Sequence, residues 1–402
     1  MKKSLLIIIS LFMLSLSYAQ SNEKFISFAA KQDSLMIKAY EIKNVKEYKN
    51  QLDKLEQKYD QLSSKDQKMH FTYMRAGYYN FACLYSLLDQ KQKALDYLEK
   101  SNYEDYEHLL QDSDLNNIRK EPRFEKCLAY AKLKSPNYIQ ILKDAQQYNN
   151  SDSRKLFFSY QSSDNENLKK LRQQYKLDSI AGNGNEISKI INLMRWVHNL
   201  IPHDGQHGFP DETKNASNLI SVCVNNKKPL NCRGLAIVLN EVYLAMNVKS
   251  RYITCLPKDS SDLECHVINM VYSQTLAKWV WMDPTTESYV MNEKGELLSI
   301  EEVRERLING QPLILNPDAN WNHQVSQTKK AYLDNYMSKN LYRFECPVSS
   351  EYNYETKMEN KIIKYNYLIP SNHNPKEEKQ RHSNGIITTY TSNLNEFWAK
   401  PE

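Results

Sequence analysis

From Ser27 to Tyr148 the chain holds a single glycine, Gly77, is rich in Leu, Lys, Gln, Glu and Tyr, and repeats its apolar residues at helical spacing. After Val248 this pattern gives way to short β-branched and aromatic runs that read as strands. Two periods segregated along one chain predict an α+β fold: an N-terminal α-helical domain, a core mixing helices with a sheet, and a small C-terminal β-rich region. At 402 residues, with 41% apolar and 11% aromatic content, there is material for two or three packed domains. The boundaries read from the pattern are 1–19, 20–148 for the helical domain, 149–186 for a polar linker and weakly patterned segment, 187–315 for the mixed core and 316–402 for the β-rich region.

Residues 1–19 read as a signal peptide, with Lys2 and Lys3, an apolar stretch from Leu5 to about Leu14, and Ser17 and Ala19 ahead of a cleavage point at Gln20. That stretch falls short of the ~20 residues needed to span a bilayer. The expectation is export, to the periplasm or the exterior, with no membrane span after cleavage. No cysteine stands at the cleavage point, which argues against a lipid-modified N-terminus. Lys2 and Lys3 carry two of the formal +5 charges, and the remaining +3 is too small to argue for nucleic acid or an anionic membrane as partner. Seven cysteines (Cys83, Cys127, Cys223, Cys232, Cys255, Cys265, Cys346) make no disulfide scaffold in a chain this long, and an odd count leaves one unpaired in a monomer. Cys255 and Cys265 either pair across a loop or are buried separately.

Within the helical domain, Tyr78, Phe81, Ala82, Tyr85, Ala94 and Leu98 fall where two antiparallel helices need large residues for a seam and small ones for close approach. These positions resemble a tetratricopeptide repeat, and Asp112-Ser113-Asp114-Leu115 with Ile118, Arg119, Pro122 and Phe124 resembles the short helical continuation often attached to one. The likeness departs at Tyr106, where such a repeat usually ends in Pro. Plain core packing explains the same spacing, and a lone repeat needs neighbouring helices to bury its face. As a repeat, the domain would dock a protein partner.

In the mixed core, Ile187, Ile190, Ile191, Met194 and Val197 mark an amphipathic helix, interrupted by Pro202, Gly205, Gly208 and Pro210. A second helix runs from Cys232 to Met246 with Asn231 as its N-cap. Cys232 thus sits at a helix start, where the free N–H groups and partial positive charge favour a thiolate, and Gly234 leaves room for a substrate to approach the backbone. Taken alone, such a cysteine is more often a small buried hydrophobe. His266 opens the run His-Val-Ile-Asn-Met-Val-Tyr and Asp283 closes Ala-Lys-Trp-Val-Trp-Met-Asp, which together read as a hairpin. A turn centred between Gln274 and Thr275 sets His266 directly opposite Asp283, Ile268 opposite Trp281 and Met270 opposite Trp279. A slip of one residue would destroy this pairing.

Asn231-Cys232-Arg233-Gly234-Leu235-Ala236, then Cys265-His266-Val267, then Trp281-Met282-Asp283-Pro284-Thr285 resemble the transglutaminase-like superfamily of cysteine enzymes. The resemblance covers about Ile187 to Leu315 and implies a papain-like core, with a nucleophile helix packed on an antiparallel sheet. It implies a catalytic triad in which Cys232 attacks an acyl carbon, His266 takes and returns the proton, and Asp283 orients His266. The Cys232 backbone N–H would supply part of an oxyanion hole, with polar residues such as His203 or Asn218 as candidates for the second donor. The superfamily includes hydrolases, acyl-transferring enzymes and inactive relatives.

His198, His203 and His207 invite a metal site, since His203 and His207 have the spacing used on metal-binding helices, but the surrounding prolines and glycines prevent that helix. The reading therefore carries no metal and no cofactor. In the C-terminal region, Lys361 to Ile369 and Gly385 to Thr391 read as strands of a small domain or a sheet extension, with Phe397 and Trp398 as an anchor and no sign of chemistry. The expected function is an exported thiol hydrolase or acyltransferase acting on a peptide or protein substrate. The alternatives are a binding protein that keeps the fold without turnover, or a scaffold centred on the helical domain.

Overall fold

The computed structural model describes residues 24–145, 148, 155–205, 213–260, 262, 264–374 and 385–401. The expected signal peptide, residues 1–19, lies outside them, as does His207. The chain divides into two compact units, Met1–Pro136 and Asn137–Glu402.

The first unit is helical. Helices Val45–Asp60 and Ser64–Leu87 are capped by Asn44 and Ser63, whose side chains accept backbone N–H bonds. The whole seam read from the sequence is buried here: Tyr78, Phe81, Ala82, Tyr85, Ala94 and Leu98. Tyr48 stacks on Phe81 with ring centroids 4.8 Å apart. The unit's single glycine has a packing cause, since a Cβ on Gly77 would meet Leu52 Cδ1 at 2.8 Å. Leu115, Ile118 and Phe124 are buried in the same core. Helix Tyr138–Asp144, which the sequence pattern groups with the helical domain, belongs to the second unit, where Leu142 is buried with Ile253 and Trp281.

The second unit is built on six strands: β1 (Ser250–Leu256), β2 (His266–Ser273), β3 (Lys278–Met282), β4 (Arg343–Pro347), β5 (Ile363–Leu368) and β6 (Ile386–Thr391). Their order is β6-β5-β4-β1-β2-β3. All neighbours are antiparallel except β5 and β6. The C-terminal strands are therefore an extension of the core sheet rather than a separate β domain. On one face Val267, Val271, Val280 and Met282 pack against three helices, α1 (Glu186–Leu200), α2 (Ala216–Asn226) and α3 (Cys232–Ala245). On the other, Ile268, Met270, Trp279 and Trp281 pack against helix Ile300–Asn309 and the π-helix Lys330–Met337. The period of two along each strand makes both faces apolar and leaves no strand position from Val267 to Ser273 exposed.

The hairpin register differs from the one expected. Ser273 pairs with Lys278, Met270 with Trp281 and Asn269 with Met282, so the turn takes four residues, Gln274 to Ala277. Glu186 at the start of α1 causes this by accepting the N–H groups of Gln274 and Thr275 and the hydroxyl of Ser273, each at 2.8 Å. Ala277 closes the turn in the left-handed region, at φ 52°. His266 and Asp283 are consequently not a direct cross-strand pair. An offset of two residues preserves the face on which they lie, because side chains alternate with period two.

The segment after β4 ties α3 in place. Asn240 donates to Ser350 Oγ at 2.9 Å, and Glu241 accepts the N–H groups of Asn353 (2.8 Å) and Ala216 (2.6 Å). Arg233, one residue past the helix start, donates to Glu355 (2.6 Å), Glu345 (2.9 Å) and Thr254 (2.8 Å). Tyr252 and Tyr365 donate to the same Glu355 Oε1 as Arg233, and Tyr367 bonds Glu345. Replacing Arg233 by Met leaves two buried carboxylates without their cation and is expected to lower the unfolding free energy by about 3–5 kcal/mol. A urea titration reads this as a lower midpoint at unchanged slope, and an unchanged midpoint would contradict it.

Candidate functional site

Cys232, His266 and Asp283 meet at one end of the sheet. α3 starts there because the Asn231 side chain accepts the Gly234 N–H at 3.0 Å, leaving Cys232 in the first turn, half-buried. Gly234 is itself buried, so the open backbone expected at that position is absent. His266 is the first residue of β2, and Asp283 follows the last residue of β3. In an antiparallel pair those two positions share an end.

The His266 Nε2 lies 2.7 Å from Asp283 Oδ2, with both side chains buried. That leaves Nδ1 as the ring nitrogen for the hydrogen bond between His266 and Cys232. Asp283 is held on all sides. Oδ2 also takes the hydroxyls of Tyr332 (2.5 Å) and Thr286 (3.0 Å), and Oδ1 takes the Thr285 N–H (2.8 Å). Tyr332 comes from the π-helix, and Tyr336, four residues on, sets its ring edge-on to His266 at 5.2 Å. The C-terminal region read as chemically silent thus supplies two aromatic side chains to the site. Their distance in sequence from Asp283 and His266 gives no local pattern that would reveal them.

These contacts set the charge state. Burial pushes the Cys232 thiol up, but the hydrogen bonds of His203 and His266 and the nearby His266 charge outweigh it and bring it down to about 6. Burial pushes His266 down, but the Asp283 carboxylate and the Cys232 sulfur together raise it to about 10. Burial likewise opposes charge on Asp283, and the bond and charge of His266 with the Tyr332 hydroxyl hold its carboxyl below the usual range. Burial keeps Tyr332 well above an ordinary phenol, so it remains a donor. Between about 6 and about 10 the resting pair is a thiolate beside an imidazolium.

Of the three histidines considered for metal, His207 lies outside the described residues. His198 is buried, its ring nitrogens against Pro284 O (3.0 Å) and Asn320 Oδ1 (3.1 Å). His203 faces Cys232 instead. Among the described residues no group of three His, Cys, Asp or Glu side chains is placed to hold a metal ion. Asn218, in the first turn of α2, uses its N–H on Asn215 Oδ1 (2.9 Å) and its side-chain amide on Thr213 O (2.8 Å). Cys255 is buried and Cys265 half-buried, and neither forms a disulfide.

Residues 173–284 match the model of the Transglutaminase-like superfamily, a span that starts before and stops short of the 187–315 read from the sequence. A Cytophaga hutchinsonii protein solved as a candidate cysteine protease is similar over 46% of this chain and 55% of its own, at 15% identity and a TM-score of 0.24. This chain therefore spans about half the length of that structure. No curated protein matches the chain. The stretch 173–284, which carries Cys232, His266 and Asp283 together, is a transglutaminase-like core.

Proposed function

We propose that the chain is a cysteine-nucleophile enzyme that cleaves or transfers acyl groups at peptide-like amide bonds. The observation that carries this reading is the buried His266–Asp283 pair at 2.7 Å whose free ring nitrogen meets a cysteine at a helix start. Cys232 attacks the amide carbon, and the proton on His266 passes to the leaving nitrogen, giving a thioester on Cys232. Water or an amine then attacks the thioester, with His266 taking its proton. Asp283 holds the ring with Nδ1 toward sulfur and offsets its charge in both steps. The substrate is a peptide or protein, and the site is proposed to work outside the cytoplasm, an expectation motivated by the Lys2, Lys3 and Leu5–Leu14 pattern at the N-terminus. Among the described residues no helix is long and apolar enough to cross a membrane.

Iodoacetamide labelling at Cys232, followed by mass spectrometry, should rise with pH through an inflection near 6. In Asp283→Asn, which takes away the anion that keeps His266 charged, the inflection should move upward toward that of an ordinary thiol, at about 8.5. The same inflection in both proteins would contradict the assigned role of Asp283.

Turnover is tested with a broad library of peptide amides, scored for released amine and for an acyl adduct on Cys232. Cys232→Ala should lose both, by about a thousandfold or more. A wild-type protein that binds members of the library yet yields neither product nor adduct would instead be a binding protein on this fold.

A further inference from the structure

The site holds a second imidazole that the Cys232, His266 and Asp283 scheme does not use. His203 sits in a short bridge with Leu230, two residues before the nucleophile: Leu230 N–H donates to Pro202 O at 3.0 Å and Asp204 N–H to Leu230 O at 2.8 Å. Asn322 grips the His203 main chain from both sides, accepting its N–H at 2.8 Å and donating to its carbonyl at 2.9 Å. Trp321, beside it in the hairpin Asn320–Ser326, donates its indole N–H to His203 Nδ1 at 3.0 Å. An indole N–H only donates, so Nδ1 is the acceptor and Nε2 is the ring nitrogen left to donate. The side-chain bond from His203 to Cys232 then uses that Nε2–H.

We propose that His203 is a further catalytic residue, the side-chain donor to the carbonyl oxygen when Cys232 attacks, and that Trp321 is its positioning residue. The inference rests on the reading of Cys232 as a nucleophile. The two imidazoles divide the work. His266 gives up a proton; the Nε2–H of His203 stays bonded while it stabilises charge. In the attack, a sulfur electron pair forms the S–C bond and the C=O π pair moves onto oxygen. The Nε2–H of His203, released from sulfur as the sulfur loses its charge, bonds the new oxyanion without transferring its proton. The Nδ1 proton of His266 moves to the leaving nitrogen, the oxygen pair re-forms the C=O bond, and the C–N bond breaks with its electron pair remaining on nitrogen, leaving the thioester. A donor fixed in place beforehand needs no reorganisation during the step, which is the condition under which one such group contributes most.

Two reagents separate this role from thiolate stabilisation. Acylation of Cys232 by p-nitrophenyl acetate passes through an oxyanion, whereas alkylation by iodoacetamide does not. Both rates are measured at a pH high enough to ionise the thiol in every variant. In His203→Phe, acylation should fall about 100-fold or more while alkylation changes by no more than about threefold. His203→Gln keeps a side-chain N–H and should recover about tenfold of the lost acylation. Trp321→Phe keeps an aromatic ring but removes the indole donor; it should lower acylation by about tenfold with alkylation unchanged. Parallel loss of both rates in the His203 variants, or a Trp321→Phe protein that acylates like wild type, would overturn the proposal. Wild-type Cys232 that reacts with iodoacetamide no faster than an ordinary thiol would defeat the nucleophile reading and this inference with it.

Discussion

The His266–Asp283 contact at 2.7 Å is the constraint around which the site is arranged. Both groups are buried, and burying two charges is unfavourable unless each finds enough partners. Asp283 finds them in His266, Tyr332, Thr286 and the Thr285 N–H. His266 finds one in Asp283 and the other in Cys232. The charge on the imidazolium is thus set by the carboxylate, and the charge on sulfur is set in part by the imidazolium. Remove the carboxylate and burial favours a neutral ring and a neutral thiol.

This dependence reaches beyond residues 173–284, the segment that matches the superfamily model. Tyr332 lies in the π-helix Lys330–Met337, Glu345 in β4, and Glu355 between β4 and β5. Through Arg233 the last two fix the first turn of the nucleophile helix, while Asn240 and Glu241 fix its third turn to the segment Ser350–Asn353. The C-terminal strands therefore belong to the same mechanical unit as the cysteine. The hairpin Asn320–Ser326 does the same for His203, which Trp321 and Asn322 fix.

The sequence made the elements legible where a local signal existed. Asn231 announced the start of α3, the spacing of Ile187, Ile190, Ile191, Met194 and Val197 announced α1, and the runs before Ile369 and Thr391 announced β5 and β6. Alternation along β2 and β3 puts His266 and Asp283 on one face, yet the pattern alone sets the pairing two residues short of the observed register. The turn is shaped by Glu186, some ninety positions away in the chain, and composition at Gln274 and Thr275 carries no trace of it. The same reason hid Tyr332, Tyr336 and Trp321. Their partners are brought to them by the sheet and by long connections, and a tyrosine that serves a carboxylate has the same spelling as one that fills a core.

The account stands on His266 being charged while Cys232 is ionised at rest. Nitrogen NMR of the imidazole in the intact protein, labelled at histidine and assigned with His266→Gln, reports this directly. At neutral pH both ring nitrogens of His266 should carry protons, and the second proton should be lost only as the pH rises through about 10. A His266 ring protonated on a single nitrogen throughout the neutral range would contradict the ion pair and the mechanism built on it.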